Sequence, residues 1–438
     1  MTELSQAFFE TLLKTQFLPP ERMLAYQRGL IERLVRHARE HVPFYRDQHR
    51  LDCLFTRDNA IAWSQWAEVP VLTRVDAQKN AELLYAEVIP PDCGEVMDGY
   101  TAGSSGTPLA FRVNTLLASA GTATLERGYV WAGLPASFSL AHFRNDRKGE
   151  AAYPLGLSYE TTMRGATRLM NHLAAQTSIE DQARWLAHVR PDVVMGYPGA
   201  LALLAQELPN ELRDHCFKLA VCLGEVTSED ARAAIEQNFR CPAMDLYSGS
   251  EFGPVAVEDC GVRRLFVSEE TMFVEFMPAE DFASGGEDLV ELVFTPFYNY
   301  AMPLIRYATG DFAAVDTGAS PDARTLRRLK RVVGRVRGVF ILPSGRHWWP
   351  SYQNKILRDF IDYKQIQIAQ TARDRIEIRY ASDRTEPVKD TERLFAYLRS
   401  ATPEPVEFAL ARVSQIARRA SGKYEDSTCE IDAGSKVS

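Results

Sequence analysis

The sequence lacks the features that mark several classes of protein. Its seven cysteines include no Cys-x-x-Cys pair, which argues against a structural zinc site and against a disulfide framework. No apolar run approaches the roughly 18 residues that a membrane-spanning helix needs, and residues 1–17 do not have the composition of a signal peptide. We therefore expect a cytoplasmic protein with reduced thiols and no membrane partner.

Positive charge is also scarce. The chain has 50 lysines and arginines against 58 aspartates and glutamates, a formal net charge of −8, whereas non-specific nucleic-acid binders carry a basic excess. Nucleic acid is therefore not an expected partner. At 438 residues, 46% of them hydrophobic, the chain is long enough for two or more packed units.

Lysine is absent from a loop that is rich in small polar residues. Residues 100–111, YTAGSSGTPLAF, contain two glycines, two serines, two threonines and a proline. The amides and hydroxyls of such a loop can surround phosphate oxygens, although an ordinary turn has the same composition. P-loops end in Gly-Lys-Ser/Thr, but no lysine occurs between Lys79 and Lys148. A P-loop kinase is therefore disfavoured, and the charge that neutralises a polyphosphate has to come from elsewhere.

The middle of the chain predicts strands and helices in alternation. Residues 217–225, FKLAVCLGE, form an apolar run of strand length, and residues 227–239 have the pattern of a helix capped by Thr227. Residues 242–254, PAMDLYSGSEFGP, predict a second strand that runs into a polar loop. This order is typical of a βαβ unit, so we predict an α/β fold whose ligands bind at the carboxyl ends of parallel strands.

Three further polar clusters are candidates for binding chemistry. Glu251 in YSGSE is a carboxylate that could ligate Mg²⁺. Asp311 follows an apolar strand in PLIRYATGD, where it could accept hydrogen bonds from a ribose, and Lys423 stands alone in ASGKYED. Each cluster by itself is more often a solvated turn.

The sequence changes in character near residue 338. From there, short strand patterns such as RIEIRYA alternate with short helical patterns such as DTERLFAYL. This is typical of a small α+β unit of about 100 residues. We therefore predict two domains, which cover residues 1–336 and 337–438.

Taken together, these clusters resemble the adenylate-forming superfamily, and within it the branch of phenylacetate:CoA ligases and capsule-biosynthesis proteins. TAGSSGTP is similar to the branch's T-S-G-S/T-T-G-T/K-P, YSGSE to its Y-G-x-S/T-E, and PLIRYATGD to its P-L-I-R-Y-R-T-G-D. The resemblance covers nearly the whole chain. Two positions depart from the branch, because Ser248 replaces a glycine and Arg337-Gly338 replaces Asp-Asp.

The resemblance implies a large N-terminal adenylation domain with parallel βαβ units and a small mobile C-terminal lid domain. Such enzymes use ATP and Mg²⁺ to form an acyl adenylate, and then transfer the acyl group to an acceptor. The hinge between the domains would fall at Arg337 and Gly338. Some relatives have a cysteine-rich cluster, but Phe266 lies near the position of an expected histidine, so we expect no zinc.

The matching positions imply a role for each cluster. Residues on the β- and γ-phosphates would be Thr101, Ser104, Ser105, Gly106 and Thr107. Residues around the adenosine would be Gly224, Glu225 and Tyr247 at the adenine, and Asp311 and Arg335 at the ribose. Catalytic residues would be Ser250 near the α-phosphate, Glu251 on Mg²⁺, and Lys423 between the acyl carboxylate and the α-phosphate. Candidates for the acid pocket are Phe138, His142, Tyr197 and Phe252.

The function that the resemblance favours is an acid:CoA ligase for an aromatic or other small organic acid. An amide-forming synthetase or a ligase that loads an acyl carrier protein would share the first half-reaction. A non-catalytic nucleotide-binding protein would keep the fold, and Ser248 and Arg337 are the observations in its favour. The sequence does not identify the acid, and it leaves open whether the chain forms a homodimer.

One segment is strongly basic. Residues 324–338, RTLRRLKRVVGRVRG, contain seven basic residues and no acidic one. They form either a solvated face or a surface that meets the phosphates of CoA or an acidic carrier protein. Arg327, Arg328 and Lys330 are the candidates for such a surface.

Overall fold

The computed structural model describes most of the chain. The described residues are 3–101, 108–146, 148–279, 282–283, 289–335, 340–348, 350, 352, 354–417 and 427–431.

Helices occur in both halves of the chain. In chain order they are α1 Glu3–Thr15, α2 Pro20–His41, α3 Pro43–Arg46, α4 Arg74–Lys79, α5 Thr115–Trp131, α6 Ile179–Val189, α7 Pro198–Gln206, α8 Glu229–Phe239, α9 Asn354–Phe360 and α10 Thr391–Ala401. Within the described ranges, none of them combines the length and the apolar character that a membrane span requires.

The strands are short to medium in length. In chain order they are β1 Leu72–Thr73, β2 Val96–Tyr100, β3 Ala110–Asn114, β4 Leu140–Arg144, β5 Leu157–Met163, β6 Ala166–Ala174, β7 Val193–Gly196, β8 Leu219–Leu223, β9 Ala243–Gly249, β10 Gly253–Asp259, β11 Arg264–Val267, β12 Met272–Pro278, β13 Phe282–Ala283, β14 Leu289–Pro296, β15 Tyr307–Asp316, β16 Arg328–Arg335, β17 Phe340–Ile341, β18 His347–Trp348, β19 Gln365–Ala372, β20 Arg375–Ala381, β21 Glu407–Arg412 and β22 Ser427–Cys429.

One large mixed sheet organises the chain as far as β16. Its strand order is β12-β14-β15-β16-β11-β10-β9-β8-β7-β4-β6-β5, and β1 pairs with β15. Neighbouring strands from β9 through β8, β7 and β4 to β6 are parallel. The pairs on the other side of β9 are antiparallel, apart from the parallel addition of β1. The prediction of an α/β fold with a parallel sheet is confirmed.

The predicted βαβ unit is present as β8, α8 and β9. Strand β8 pairs in parallel with β9, with Leu223 opposite Leu246. The N-cap of α8 is Ser228, whose hydroxyl accepts a hydrogen bond from the amide of Ala231 at 3.2 Å. The prediction of Thr227 as the cap is wrong, because its hydroxyl donates to Asp245 of β9 at 3.1 Å instead.

Helices cover both faces of the parallel strands. On one face, α6, α7 and α8 bury Trp185, Leu201 and Ile235 against the sheet. On the other face, α5 packs Tyr129 in a cluster with Val221 and other strand residues. Apolar residues of each strand therefore face both ways, which is the arrangement that a doubly covered parallel sheet requires.

Helix α5 is also tied to its surroundings by buried ion pairs. Arg127 pairs with Glu270, and both side chains are almost completely shielded from solvent. Glu126 accepts two hydrogen bonds from Arg168 of β6, at 2.6 and 2.7 Å. Since a buried charge that loses its partner is costly, these pairs strongly disfavour other placements of the helix.

A small unit follows the large sheet. Strands β21, β20, β19 and β22 form its sheet in that order, and α9 and α10 contribute to its hydrophobic cluster. Ile376 and Ile378 are fully buried in this cluster, as their spacing predicts. The unit contacts α8, because Arg358 and Tyr363 bind the carboxylate of Asp230 at 3.0 and 2.8 Å. The domain limit at 336–337 lies outside the described residues and stays a prediction.

Strand β16 forms residues 328–335 of the basic segment, and two of the candidate arginines, Arg327 and Arg328, are paired. Arg327 donates to Glu269 at 2.6 Å, and Arg328 donates to Asp316 at 2.9 Å. The structure therefore does not support Arg327 and Arg328 as part of a free acceptor surface. Of the candidates named above, Lys330 is exposed.

Candidate active site

The candidate residues lie where neighbouring parallel strands end. Strands β7, β8 and β9 end at Gly196, Leu223 and Gly249. Because these strands are parallel and adjacent, their carboxyl ends meet at one edge of the sheet. The segments that emerge there carry Tyr197 after β7, Gly224 and Glu225 after β8, and Ser250 and Glu251 after β9.

A tight hairpin presents Ser250 and Glu251. Gly249 of β9 pairs with Gly253 of β10 across the turn. The ring of Phe252 folds against Gly249, where a Cβ atom would lie only 2.2 Å from a ring carbon. Glycine is therefore required at position 249, and Phe252 anchors the hairpin in the core.

Glu251 belongs to a buried polar cluster. Its side chain is only 3% exposed, and Oε1 accepts hydrogen bonds from Arg74 Nη1 and from the Tyr307 hydroxyl, both at 3.2 Å. Arg74 Nη2 also donates to Thr101 Oγ1 at 2.8 Å. Since Thr101 lies at the start of the Gly/Ser/Thr loop, this cluster joins the base of the loop to the carboxylate.

Thr101 also holds the other end of that loop. Its amide donates to the carbonyl of Leu109 at 3.0 Å, and the amide of Leu109 donates back to Thr101 Oγ1 at 2.9 Å. Strands β2 and β3 continue from this point as an antiparallel pair. Some predicted phosphate ligands lie outside the described residues and remain predictions, namely Ser104, Ser105, Gly106 and Thr107.

Asp311 is oriented by two hydroxyl groups. The Tyr247 hydroxyl and Thr309 Oγ1 both donate to its Oδ2, at 2.9 and 2.5 Å. Gly310, between Thr309 and Asp311, has a φ of 77°, which favours glycine there. Tyr247 lies on β9 and Asp311 on β15, so the structure brings these two predicted nucleotide residues into direct contact. Arg335 is the backbone partner of Asp311, but its side chain is not described.

The segments after β7 and β8 are also in contact. Glu225 accepts a hydrogen bond from the amide of Gly199, in the first turn of α7, at 3.4 Å. Tyr197 is the N-cap of this helix, and burial together with the charge of Glu225 raises the pKa of its phenol to about 12. Tyr197 is therefore a neutral phenol at physiological pH.

The candidates for the acid pocket do not share one hydrophobic cluster. Phe138 packs with Tyr129 on the α5 side of the sheet, whereas Tyr197 belongs to the cluster of α6, α7 and α8. Phe252 lies in the core beneath the hairpin and stacks on Phe294. His142 is partly exposed on β4.

His142 has a histidine neighbour that the sequence did not suggest. It is the lateral partner of His172 on β6, and their ring centres are 5.4 Å apart. Burial lowers the pKa of His142 to about 3 and that of His172 to about 4, so both imidazoles are neutral at pH 7. The Tyr159 hydroxyl lies 3.1 Å from Nε2 of His172.

The sequence also did not identify Arg74 and Tyr307 as residues of the site. Arg74 begins the short helix α4, which Thr73 caps by accepting a hydrogen bond from the amide of Asp76 at 3.1 Å. Only the pairing of β1 with β15 brings Arg74 to the site, and the sequence carries no signal for this pairing. Lys423, Arg337 and Gly338 lie outside the described residues, so their roles remain predictions.

The chain has curated relatives, although no protein-family model matches it. It is 26% identical over 346 residues to the phenylacetate-coenzyme A ligase of Pseudomonas putida, a match that spans 73% of this chain and 74% of that protein. It is 29% identical over 228 residues to the protein of the same name from Escherichia coli strain K12, over 47% of this chain and 50% of that one.

Solved structures share the fold over almost the whole chain. A 2-hydroxyisobutyryl-CoA ligase in the postadenylation state, in complex with 2-HIB-AMP, aligns with a TM-score of 0.71 at 17% identity. The alignment covers 94% of this chain and 91% of that chain. At this level of identity, the structural similarity establishes the fold only. The chemistry has to be inferred from the residues of the site.

Proposed function

We propose that this chain, a homologue of phenylacetate-CoA ligases with the fold of adenylate-forming ligases, activates a carboxylic acid with ATP and transfers the acyl group to CoA. In the first step, an oxygen of the acid attacks the α-phosphorus and pyrophosphate leaves. In the second step, the thiol of CoA attacks the acyl carbon and AMP leaves. The observation that carries the proposal is the convergence of Thr101, Glu251 and Asp311, from separate segments, in hydrogen-bonded clusters.

The adenosine-binding part of the proposal rests on the edge formed by β8, β9 and β15. Asp311 would accept hydrogen bonds from the ribose hydroxyls, because the Tyr247 and Thr309 hydroxyls already fix its carboxylate. Tyr247 would lie against the adenine, with Gly224 and Glu225 at its edge. Arg335, the backbone partner of Asp311 on β16, would assist at the ribose.

The phosphate-binding part rests on Thr101 and the hairpin after β9. Thr101 would contact the β- and γ-phosphates together with residues 104–107, and Ser250 would approach the α-phosphate. Mg²⁺ fits Glu251, because hard cations prefer carboxylate oxygens and both observed donors contact Oε1. When bound, the cation neutralises phosphate charge during the transfer.

The C-terminal part of the proposal concerns Lys423 and the hinge. We assign Lys423 to the acyl carboxylate and the α-phosphate during adenylation, on a small domain that covers residues 337–438. Arg337 and Gly338 would be the hinge about which this domain rotates. The contact of Arg358 and Tyr363 with Asp230 would then be present in only one of the two arrangements.

The acid pocket is assigned by matching position and by chemistry. Phe138, His142, Tyr197 and Phe252 remain the proposed lining residues by matching position, although Phe138, Tyr197 and Phe252 belong to different hydrophobic clusters. Of the four, His142 on β4 and Tyr197 after β7 offer polar atoms. Both are uncharged at pH 7, since their pKa values are about 3 and about 12. A neutral lining suits an aromatic or other small acid whose body carries no charge.

The test is carboxylate-dependent exchange of labelled pyrophosphate into ATP, measured with the full chain and a panel of small organic acids. We expect exchange with at least one aromatic or short-chain acid, followed by formation of its CoA thioester when CoA is added. Exchange without thioester formation would indicate an amine or an acyl carrier protein as the acceptor. Nucleotide binding without exchange for any acid would contradict the proposal and favour a non-catalytic protein.

A further inference from the structure

Arg74 occupies an unusual position for a charged residue at the start of a short helix. It is the first residue of α4, directly after β1, and its side chain is only 9% exposed. Strand β1 pairs in parallel with β15, and Leu72 lies opposite Tyr307. This pairing places Arg74 beside the strand that carries Tyr307 and Asp311.

The guanidinium of Arg74 links two parts of the candidate site. Nη2 donates to Thr101 Oγ1 at 2.8 Å, and Nη1 donates to Glu251 Oε1 at 3.2 Å. The planar fork of arginine can make both bonds at once, which the single ammonium group of lysine does less well. One side chain therefore sets the distance between the base of the loop and the carboxylate.

The contacts of Glu251 are asymmetric. Arg74 and the Tyr307 hydroxyl both donate to Oε1. Among the residues that the structure describes, no hydrogen bond reaches Oε2. A carboxylate that is held by one oxygen keeps the other oriented and available for a cation, which is how supporting residues commonly orient metal ligands.

We infer that Arg74 is a positioning residue that prepares the site for a divalent cation and a polyphosphate. It holds Glu251 through Oε1 so that Oε2 faces the cation, and it holds Thr101 at the base of the phosphate-binding loop. It also provides a fixed positive charge at Thr101, in a segment of the sequence that lacks lysine. The inference rests on the proposed function in taking this site to bind a nucleotide.

A purely structural role predicts a different behaviour, and Arg306 offers a matched control. Arg306 is also a buried arginine near β1, and it pairs with Glu275 at 3.1 Å and with the carbonyl of Val69 at 2.6 Å. These contacts stabilise the fold around β1, and none of them involves Glu251 or Thr101. Arg306→Met therefore reports the effect of losing a buried arginine whose side chain does not contact Glu251 or Thr101.

The experiment measures nucleotide binding rather than turnover. The affinity of Mg²⁺-ATP for the full chain is determined by titration calorimetry without any acid, and the Mg²⁺ concentration for half-maximal ATP binding is determined at fixed ATP. Arg74→Met, Arg74→Lys and Arg306→Met are compared with the wild type. Thermal unfolding of each variant establishes that it is folded.

We expect Arg74→Met to raise the half-saturating Mg²⁺ concentration by about 10- to 100-fold, the range for losing a partner of a metal ligand. Arg74→Lys should recover part of the loss, because it keeps the charge but not the fork. Arg306→Met should have the same half-saturating Mg²⁺ concentration as the wild type, even if it is less stable to heat. A folded Arg74→Met with the Mg²⁺ dependence of the wild type would overturn the inference.

Should Arg74→Met not fold, Arg74→Lys and Tyr307→Phe decide the question, because each keeps most of the side-chain volume. Both are expected to raise the Mg²⁺ requirement, and an unchanged requirement in both would refute the inference. Failure of the proposed function is distinguishable from this outcome. It would appear as an absence of pyrophosphate exchange in the wild type, whereas the role of Arg74 is read from binding alone.

Discussion

At the scale of single residues, the candidate site contains carboxylates that are oriented by hydrogen bonds from neighbouring side chains. Asp311 is held by Tyr247 and Thr309, and Glu251 is held by Arg74 and Tyr307. Side chains that are already ordered lose little conformational freedom on binding, so more of the interaction free energy contributes to affinity. The site is therefore built for a ligand of defined geometry.

Asp311→Asn is expected to weaken ATP use. The amide keeps the shape of the side chain but loses its charge and one acceptor oxygen. The KM for ATP in pyrophosphate exchange should rise by about 10- to 100-fold, the range for a hydrogen bond to a charged group. Tyr247→Phe, which removes only a neutral donor, should raise it by about 2- to 10-fold. Equal KM values in Asp311→Asn and the wild type would exclude Asp311 from the ribose.

Asp245 of β9, which lies opposite Cys222 of β8, predicts a dependence of stability on pH. Burial, reinforced by the charge of Glu258, raises the pKa of Asp245 from 3.8 to about 7. Between these two values the folded protein keeps a proton that the unfolded chain releases. The contribution of Asp245 to stability therefore falls as the pH rises through this range and is constant above it.

Asp245→Asn should remove this dependence. Measured by urea denaturation, the stability of Asp245→Asn relative to the wild type should increase as the pH is raised from 5 to 7.5. Asp192→Asn is the control. Burial raises the pKa of Asp192, but hydrogen bonds from Lys218 and Ser139 outweigh burial and lower it below 3.8. The difference in stability between Asp192→Asn and the wild type should therefore stay constant between pH 5 and pH 7.5. A difference between Asp245→Asn and the wild type that is the same at both pH values would contradict the prediction.

At the scale of elements, helix α5 connects the two halves of the large sheet. Its Arg127 pairs with Glu270, just before β12, and its Glu126 pairs with Arg168 of β6. These strands lie near opposite ends of the sheet order. The helix also follows β3 directly, so its position affects the strand that leaves the phosphate-type loop.

Glu270→Gln is expected to destabilise the protein by about 3 to 5 kcal/mol, because it leaves the buried charge of Arg127 without its partner. Urea denaturation followed by far-UV circular dichroism measures the change. The double variant Arg127→Met/Glu270→Leu removes both charges and should lose less stability than Glu270→Gln alone. If the single variant were as stable as the wild type, the pair would not anchor α5.

At the scale of the whole molecule, the small unit contacts the large one through Asp230, Arg358 and Tyr363. These groups lie on α8 and near α9, and the contact is polar. Polar interfaces between domains are typical of units that move relative to each other. This agrees with the proposal that the C-terminal unit rotates between the two half-reactions.

Lys423→Ala should reduce pyrophosphate exchange by about 10²- to 10³-fold, the scale for removing one group that stabilises transition-state charge. Transfer of the acyl group from a supplied acyl adenylate to CoA should be much less affected, because Lys423 is assigned to the first step only. Lys389→Ala, which removes an exposed lysine of the same unit, is the matched control. Near-normal exchange by Lys423→Ala would exclude the assignment.

The sequence by itself determined the order of the elements and the type of fold. The βαβ unit of β8, α8 and β9 and the inward Ile376 and Ile378 follow from periodicity and from turn residues, which are local properties. The resemblance of short motifs identified Thr101, Glu251 and Asp311 as candidates, because residues that bind one ligand often stand in compact motifs at strand ends.

Tertiary structure alone decided which residues support that site. Arg74 reaches Glu251 across 177 positions of the chain, and His172 meets His142 through strand pairing. It also decided that Arg327 and Arg328 are paired rather than free, and that Ser228 caps α8 while Thr227 binds Asp245. The physical reason is common to these cases: each depends on which strands pair and in which register, and pairing between distant segments leaves no periodic signal in either one.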